Sequence, residues 1–73
     1  MPKPTLNTAM EAIARNLREF GYGDVTGAMV REIYDQWKTG KRFPDLGHGV
    51  VGGFAESQFA EHQDMLAKLE ATP

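Results

Sequence analysis

The stretch LNTAMEAIARNLREF, residues 6–20, decides the fold, because its large apolar residues recur every three or four positions. These residues are Leu6, Met10, Ile13, Leu17 and Phe20. Their spacing places all five on one face of an α-helix. Thr5 or Thr8 can serve as the N-cap, and Thr8 with Glu11 matches the capping box. Gly21 then supplies the left-handed residue that commonly ends a helix. The stretch therefore predicts an amphipathic first helix.

A second helix follows a short connector that contains Asp24 and Thr26, either of which can act as its N-cap. Its apolar stripe consists of Met29, Val30, Ile33, Tyr34 and Trp37. Gly40 is expected to end this helix, after Lys38 has complemented the negative end of the helix dipole.

Residues 41–49 have no apolar period and contain proline and glycine, so they predict a loop. A third helix is expected to begin between Asp45 and Gly53 and to run to about Leu69. Its predicted stripe consists of Val51, Ala55, Phe59, His62, Leu66 and Leu69. The fold prediction is a small all-α, three-helix domain with a long loop between helices two and three. We expect one domain over residues 1–73, with its core at about residues 6–69.

Composition limits the possible classes of protein. The 73 residues include no cysteine, which excludes disulfides and thiolate metal sites and makes the cytoplasm the expected compartment. No run of 18 apolar residues occurs, so we expect no membrane contact. The net charge of −2 is uneven, because residues 1–42 carry +2 and residues 43–73 carry −4. Such asymmetry is typical either of an electrostatic partner or of two differently solvated faces.

No motif indicates catalysis, a cofactor or a metal. Residues 47–52 match the pattern G-x-G-x-x-G, but a phosphate-binding loop of this kind needs a preceding strand that the sequence does not predict. The two histidines, His48 and His62, do not have the spacing of a zinc site. Ser57 is the only serine and lacks the context of a nucleophile. We therefore expect a protein that is not an enzyme and has no cofactor.

Binding of nucleic acid is the alternative hypothesis. The first two helices could form a helical pair whose second member carries basic residues at its C-terminal end. The candidate phosphate contacts are Arg31, Lys38, Lys41 and Arg42. The overall acidic charge and the long turn between the helices count against this hypothesis.

Four segments carry a resemblance to known proteins: FGYGDVT at 20–26, MVREIYDQW at 29–37, HGVVG at 48–52 and FAESQF at 54–59. Together they resemble a family of small uncharacterised proteins of actinobacteria and their phages. The resemblance implies an intracellular accessory protein. It implies no activity and no functional residue.

The favoured hypothesis is a non-enzymatic accessory or regulatory module that acts through contacts with another protein. The expected contact surface combines the end of helix two with the following loop, and its residues are Trp37, Lys41, Arg42, Phe43 and His48. A homodimer through helix three is a related hypothesis. It rests on the apolar residues Phe54, Phe59, Met65 and Leu69, which exceed what two short helices can cover.

Overall fold

The computed structural model describes residues 4–71, which form four α-helices and no strand. Helix α1 spans Leu6–Glu19, α2 spans Gly27–Lys38, α3 spans Val50–Glu61 and α4 spans Gln63–Ala71. The predicted all-helical class is confirmed, but the prediction of three helices is wrong. None of the four helices is long and apolar enough to cross a membrane.

The predicted third helix is divided at His62, where φ is −110° and ψ is 25°. No glycine or proline marks this position in the sequence. Tertiary packing explains the bend, because α4 turns back onto α1 and buries Leu66, which is 1% exposed. Asp64 in the first turn and Lys68 in the last turn give α4 charges that suit its own helix dipole.

Threonine side chains begin the first two helices. Thr5 caps α1, and its Oγ1 accepts a hydrogen bond from the backbone N–H of Thr8 at 3.2 Å. The capping box predicted at Thr8 and Glu11 is therefore wrong, because the helix begins one turn earlier. Thr26 caps α2 in the same way and accepts from the N–H of Met29 at 3.2 Å.

The core forms where the apolar faces of the helices meet. Its members are Ala9, Met10, Ile13, Ala14, Leu17, Val25, Val30, Ile33, Tyr34, Leu46, Ala55, Phe59 and Leu66. Phe20 was expected to belong to it but is 74% exposed. This residue is the C-cap of α1, and Gly21 with φ at +110° turns the chain away, so the helical period no longer applies to it.

The predicted loop at residues 41–49 packs tightly against the first turn of α3. Leu46 enters the core at 3% exposure. A Cβ atom on Gly52 would lie 2.6 Å from the carbonyl oxygen of Gly47. A side chain on Gly52 would thus collide with the backbone of the loop, which explains a glycine inside the helix at this position.

Candidate functional site

An open apolar groove lies where the loop meets α3. Three large side chains around it are partly exposed: Phe43 at 50%, Val50 at 58% and Phe54 at 45%. With Gly53 and Ser57 they line a volume of about 250 Å³, which we call the α3 groove. Contiguous exposed apolar side chains of this kind are typical of a contact surface.

The α3 groove is built by the spacing of residues along one helix. Val50, Gly53, Phe54 and Ser57 stand at i, i+3, i+4 and i+7, so they share one face of α3. The opposite face carries Ala55 and Phe59, both fully buried. The helix therefore presents one apolar face to the core and a second one to solvent.

Two aromatic rings form the walls of the α3 groove and are themselves supported. The ring of Phe43 lies over Gly53, where a Cβ atom would stand 3.0 Å from its nearest ring atom. The ring of Phe54 packs against Tyr22, with 5.5 Å between the ring centroids and 42° between the planes. Each ring thus packs against another part of the fold.

Trp37 was predicted as a partner anchor, but the structure places it at the edge of the core. Its ring lies 5.9 Å from Tyr34 and 5.6 Å from Phe59, measured between centroids. The guanidinium of Arg42 covers it at 5.1 Å and also donates a hydrogen bond to the carbonyl of Trp37 at 2.9 Å. Trp37 and Arg42 therefore pack on each other beside the α3 groove rather than lining it.

The four cations of the nucleic-acid hypothesis are largely neutralised. Arg31 pairs with Asp35 at 3.2 Å, Lys38 pairs with Glu70, and Arg42 pairs with Glu56 at 3.8 Å. Lys41 is exposed, and its ammonium group has no hydrogen bond or ion pair with any residue among 4–71, although its backbone N–H donates to Gln36 and its carbonyl accepts from Arg42. Three carboxylates from α2, α3 and α4 thus oppose the positive potential that phosphate binding requires.

His48, the remaining predicted contact residue, lies apart from the α3 groove. Its Nε2 atom stands 3.4 Å from Oε2 of Glu32. Its backbone has φ at +69°, just before the N-cap of α3 at Gly49. Nothing in the structure brings His48 together with Phe43 at one site. Within the described part of the chain, no group of three histidine, aspartate or glutamate side chains could hold a metal ion.

A polar contact links side chains of α2 and α4. The hydroxyl of Tyr34 donates to Oε2 of Glu70 at 2.8 Å, and Lys38 pairs with the other oxygen. Burial, together with this hydrogen bond, raises the pKa of Tyr34 to about 12. The hydrogen bond from Lys38 is the main cause that lowers the pKa of Glu70. The two helices are therefore linked by a carboxylate that favours its charged form.

Sequence reasoning missed most of the α3 groove. It predicted Phe43 as a contact residue and Phe54 as an apolar residue of helix three that the fold leaves uncovered, but not Val50 or Gly53. The i, i+3, i+4 and i+7 spacing was present as a signal. This spacing does not stand out in the sequence, because the same helix carries a longer apolar stripe that points into the core.

No protein-family model matches the chain, and no curated protein or solved structure matches it. The resemblance to small actinobacterial and phage proteins therefore stays a prediction.

Proposed function

We propose that this chain is a non-enzymatic accessory protein of the cytoplasm that binds a protein partner through the α3 groove. The observation that carries the proposal is the exposure of Phe43, Val50 and Phe54 around one groove. A domain of this size has few large apolar side chains, and leaving three of them in water gives up stability that burial would supply. Contiguous exposed apolar side chains of this kind are typical of a surface that a partner covers.

The surroundings of the α3 groove suit a protein partner. Burying the exposed parts of the three side chains would contribute roughly 1 kcal/mol each. The polar neighbours of the groove are Ser57, which lines it, and Arg42, which precedes Phe43 in the chain and pairs with Glu56. An apolar centre with a polar rim is the usual anatomy of a protein interface. Binding of nucleic acid lacks comparable support, because three of its four candidate cations already have carboxylate partners.

The test is capture of a partner by the full chain from a lysate, after nuclease treatment and in high salt. Phe54→Ser should reduce recovery of the partner at least tenfold. The matched control is Phe20→Ser, since Phe20 is 74% exposed but does not line the α3 groove. This control should leave recovery unchanged.

A photo-crosslinking phenylalanine analogue identifies the partner directly. Placed at position 54 it should give a discrete crosslinked protein, and placed at position 20 it should not. Recovery that disappears with nuclease or salt, or that is equal for the two serine variants, would contradict the proposal.

A further inference from the structure

We propose that Gln36, on α2, is the positioning residue that holds Phe43 at the α3 groove. It does so by fixing Gly47, which lies in the same loop as Phe43. This inference rests on the proposed function, because it concerns how that contact surface is built. Three observations carry it: the hydrogen bonds of Gln36, the place of Gly47 between two helices, and the backbone conformation that follows Gly47.

Gln36 binds the loop at both of its ends. Its backbone carbonyl oxygen accepts hydrogen bonds from the N–H groups of Thr39 at 3.1 Å and Lys41 at 3.3 Å, where α2 ends and the loop begins. Its side-chain Oε1 accepts another hydrogen bond at 3.0 Å, from the backbone N–H of Gly47, which lies 11 positions further along the chain. One residue thus joins the start of the loop to its far end.

Gly47 lies between α2 and α3. Its N–H group donates to Gln36, and a Cβ atom at this position would stand 3.2 Å from Nε2 of Gln36. Its carbonyl oxygen lies against α3, only 2.6 Å from where a Cβ atom on Gly52 would be. The neighbouring Leu46 is buried in the core. A change in the position of Gly47 would therefore change how the loop packs on α3.

The backbone that follows Gly47 has a conformation that needs support from its surroundings. The φ angle is +69° at His48 and +60° at Gly49. A positive φ is uncommon for a residue other than glycine, and it persists where the surrounding structure holds it. The hydrogen bond from Gly47 to Gln36 fixes the chain directly before this turn. The side chain of Gln36 therefore supplies part of the support that His48 needs.

A tight turn connects this end of the loop to Phe43. The N–H group of Asp45 donates to the carbonyl oxygen of Arg42 at 2.7 Å, which closes a four-residue turn that contains Phe43. The ring of Phe43 projects from this turn onto Gly53. Because the turn is short and closed, the position of Gly47 restricts where the ring of Phe43 can lie.

Two substitutions of Gln36 separate its hydrogen bond from the shape of its side chain. Methionine has a similar length but only a weak acceptor, whereas glutamate keeps an oxygen at the position of Oε1. Amide hydrogen exchange of Gly47 should become roughly threefold to tenfold faster in Gln36→Met, which is the usual net contribution of one hydrogen bond. In Gln36→Glu it should be no faster than in the wild type, because a carboxylate accepts more strongly. Equal rates in the two variants would overturn the inference.

Nuclear magnetic resonance reports the position of the Phe43 ring directly. The nuclear Overhauser effect between Hα of Gly53 and the ring should weaken in Gln36→Met and remain in Gln36→Glu. The matched control is Gln63→Met, since Gln63 is exposed on α4 and does not line the α3 groove. It should leave the effect unchanged. Circular dichroism confirms that each variant is folded, which the partial exposure of Gln36 favours. An undiminished effect in Gln36→Met would also overturn the inference.

The inference and the proposed function fail in different ways. If both hold, recovery of the partner should fall roughly threefold to tenfold in Gln36→Met and be restored in Gln36→Glu, because fewer molecules keep the loop ready to bind. A Gln36→Met chain that loses the contact of Phe43 with Gly53, but captures its partner like the wild type, supports the positioning role and contradicts the α3 groove as the contact surface. A Gln36→Met chain that keeps both the contact and the capture overturns the role of Gln36 alone.

Discussion

Gly52 shows how a single missing side chain positions the α3 groove. The backbone of the loop passes so close to α3 that a Cβ atom at this position would meet the carbonyl oxygen of Gly47 and the side chain of Leu46. Glycine inside a helix costs about 1 kcal/mol relative to alanine, so close packing has to offset that cost. The paired glycines are visible in the sequence, but the element that approaches them is not.

Gly52→Ala should lower the free energy of unfolding by about 1 to 2 kcal/mol, because overpacking outweighs the gain in helix propensity. The matched control is Gly53→Ala, where the new methyl group meets the ring of Phe43, which is half exposed and able to move. This control should change the free energy by less than about 1 kcal/mol. Urea unfolding followed by circular dichroism measures both, and equal effects would contradict the proposed backbone collision.

The contact between Tyr34 and Glu70 predicts a loss of stability in alkali. The pKa of Tyr34 is about 12 in the folded chain, above its ordinary value of 10.0, so the folded state holds the proton more tightly. Its contribution is complete below pH 10 and is lost as the pH rises towards 12. Between pH 9 and pH 12 the wild type should lose at most about 2 to 3 kcal/mol more than Tyr34→Phe. Urea unfolding at each pH measures the difference, and parallel profiles would refute it.

Glu70 predicts a loss of stability in acid. Its pKa is lowered in the folded chain, chiefly by the hydrogen bond from Lys38. Its contribution is therefore present above pH 4.5 and is lost as the pH falls through the folded pKa. The free energy of unfolding should therefore fall less in acid for Glu70→Gln than for the wild type. The pH at the midpoint of acid unfolding measures this. The same dependence on pH in the variant and the wild type would contradict it.

At the scale of helices, sequence periodicity predicted much but missed the division of the third helix and the exposure of Phe20. Most of the stripe predicted for each of the first two helices lies in or against the core, and the third helix begins within its predicted range, because apolar spacing is a local property. The division at His62 was not predictable, because His62 and its neighbours carry no breaker and the bend depends on where Leu66 finds the core. Likewise, the period of α1 cannot show that Phe20 lies beyond the last turn.

Helix α4 is expected to be part of the cooperative fold rather than an appendage. Leu66→Ala should destabilise the chain by about 2 to 4 kcal/mol, because Leu66 is 1% exposed and its loss leaves a cavity. Met65→Ala is the neighbouring control and should cost less than about 1 kcal/mol, since Met65 is 45% exposed. Thermal unfolding of both variants measures the contrast. Similar melting temperatures would show that α4 does not contribute to the core.

At the scale of the whole molecule, the ion pairs could not be predicted from the sequence. The basic residues at the end of α2 form a cluster in the sequence, but Lys38 is paired with Glu70, 32 residues away. The α3 groove also depends on a long-range event, the return of Phe43 onto Gly53. Local patterns therefore identified the helices, whereas the character of the surface came from contacts between distant residues.

The position of Trp37 gives the molecule an optical reporter of its own. Trp37 is the only tryptophan in the sequence, and its indole lies where α2, α3, α4 and the loop meet. Arg42 covers one face, and Phe59 and Tyr34 pack around the ring. Detachment of either α4 or the loop would admit water to the indole and shift its emission to longer wavelength. Fluorescence can therefore follow both movements in an unlabelled wild-type chain.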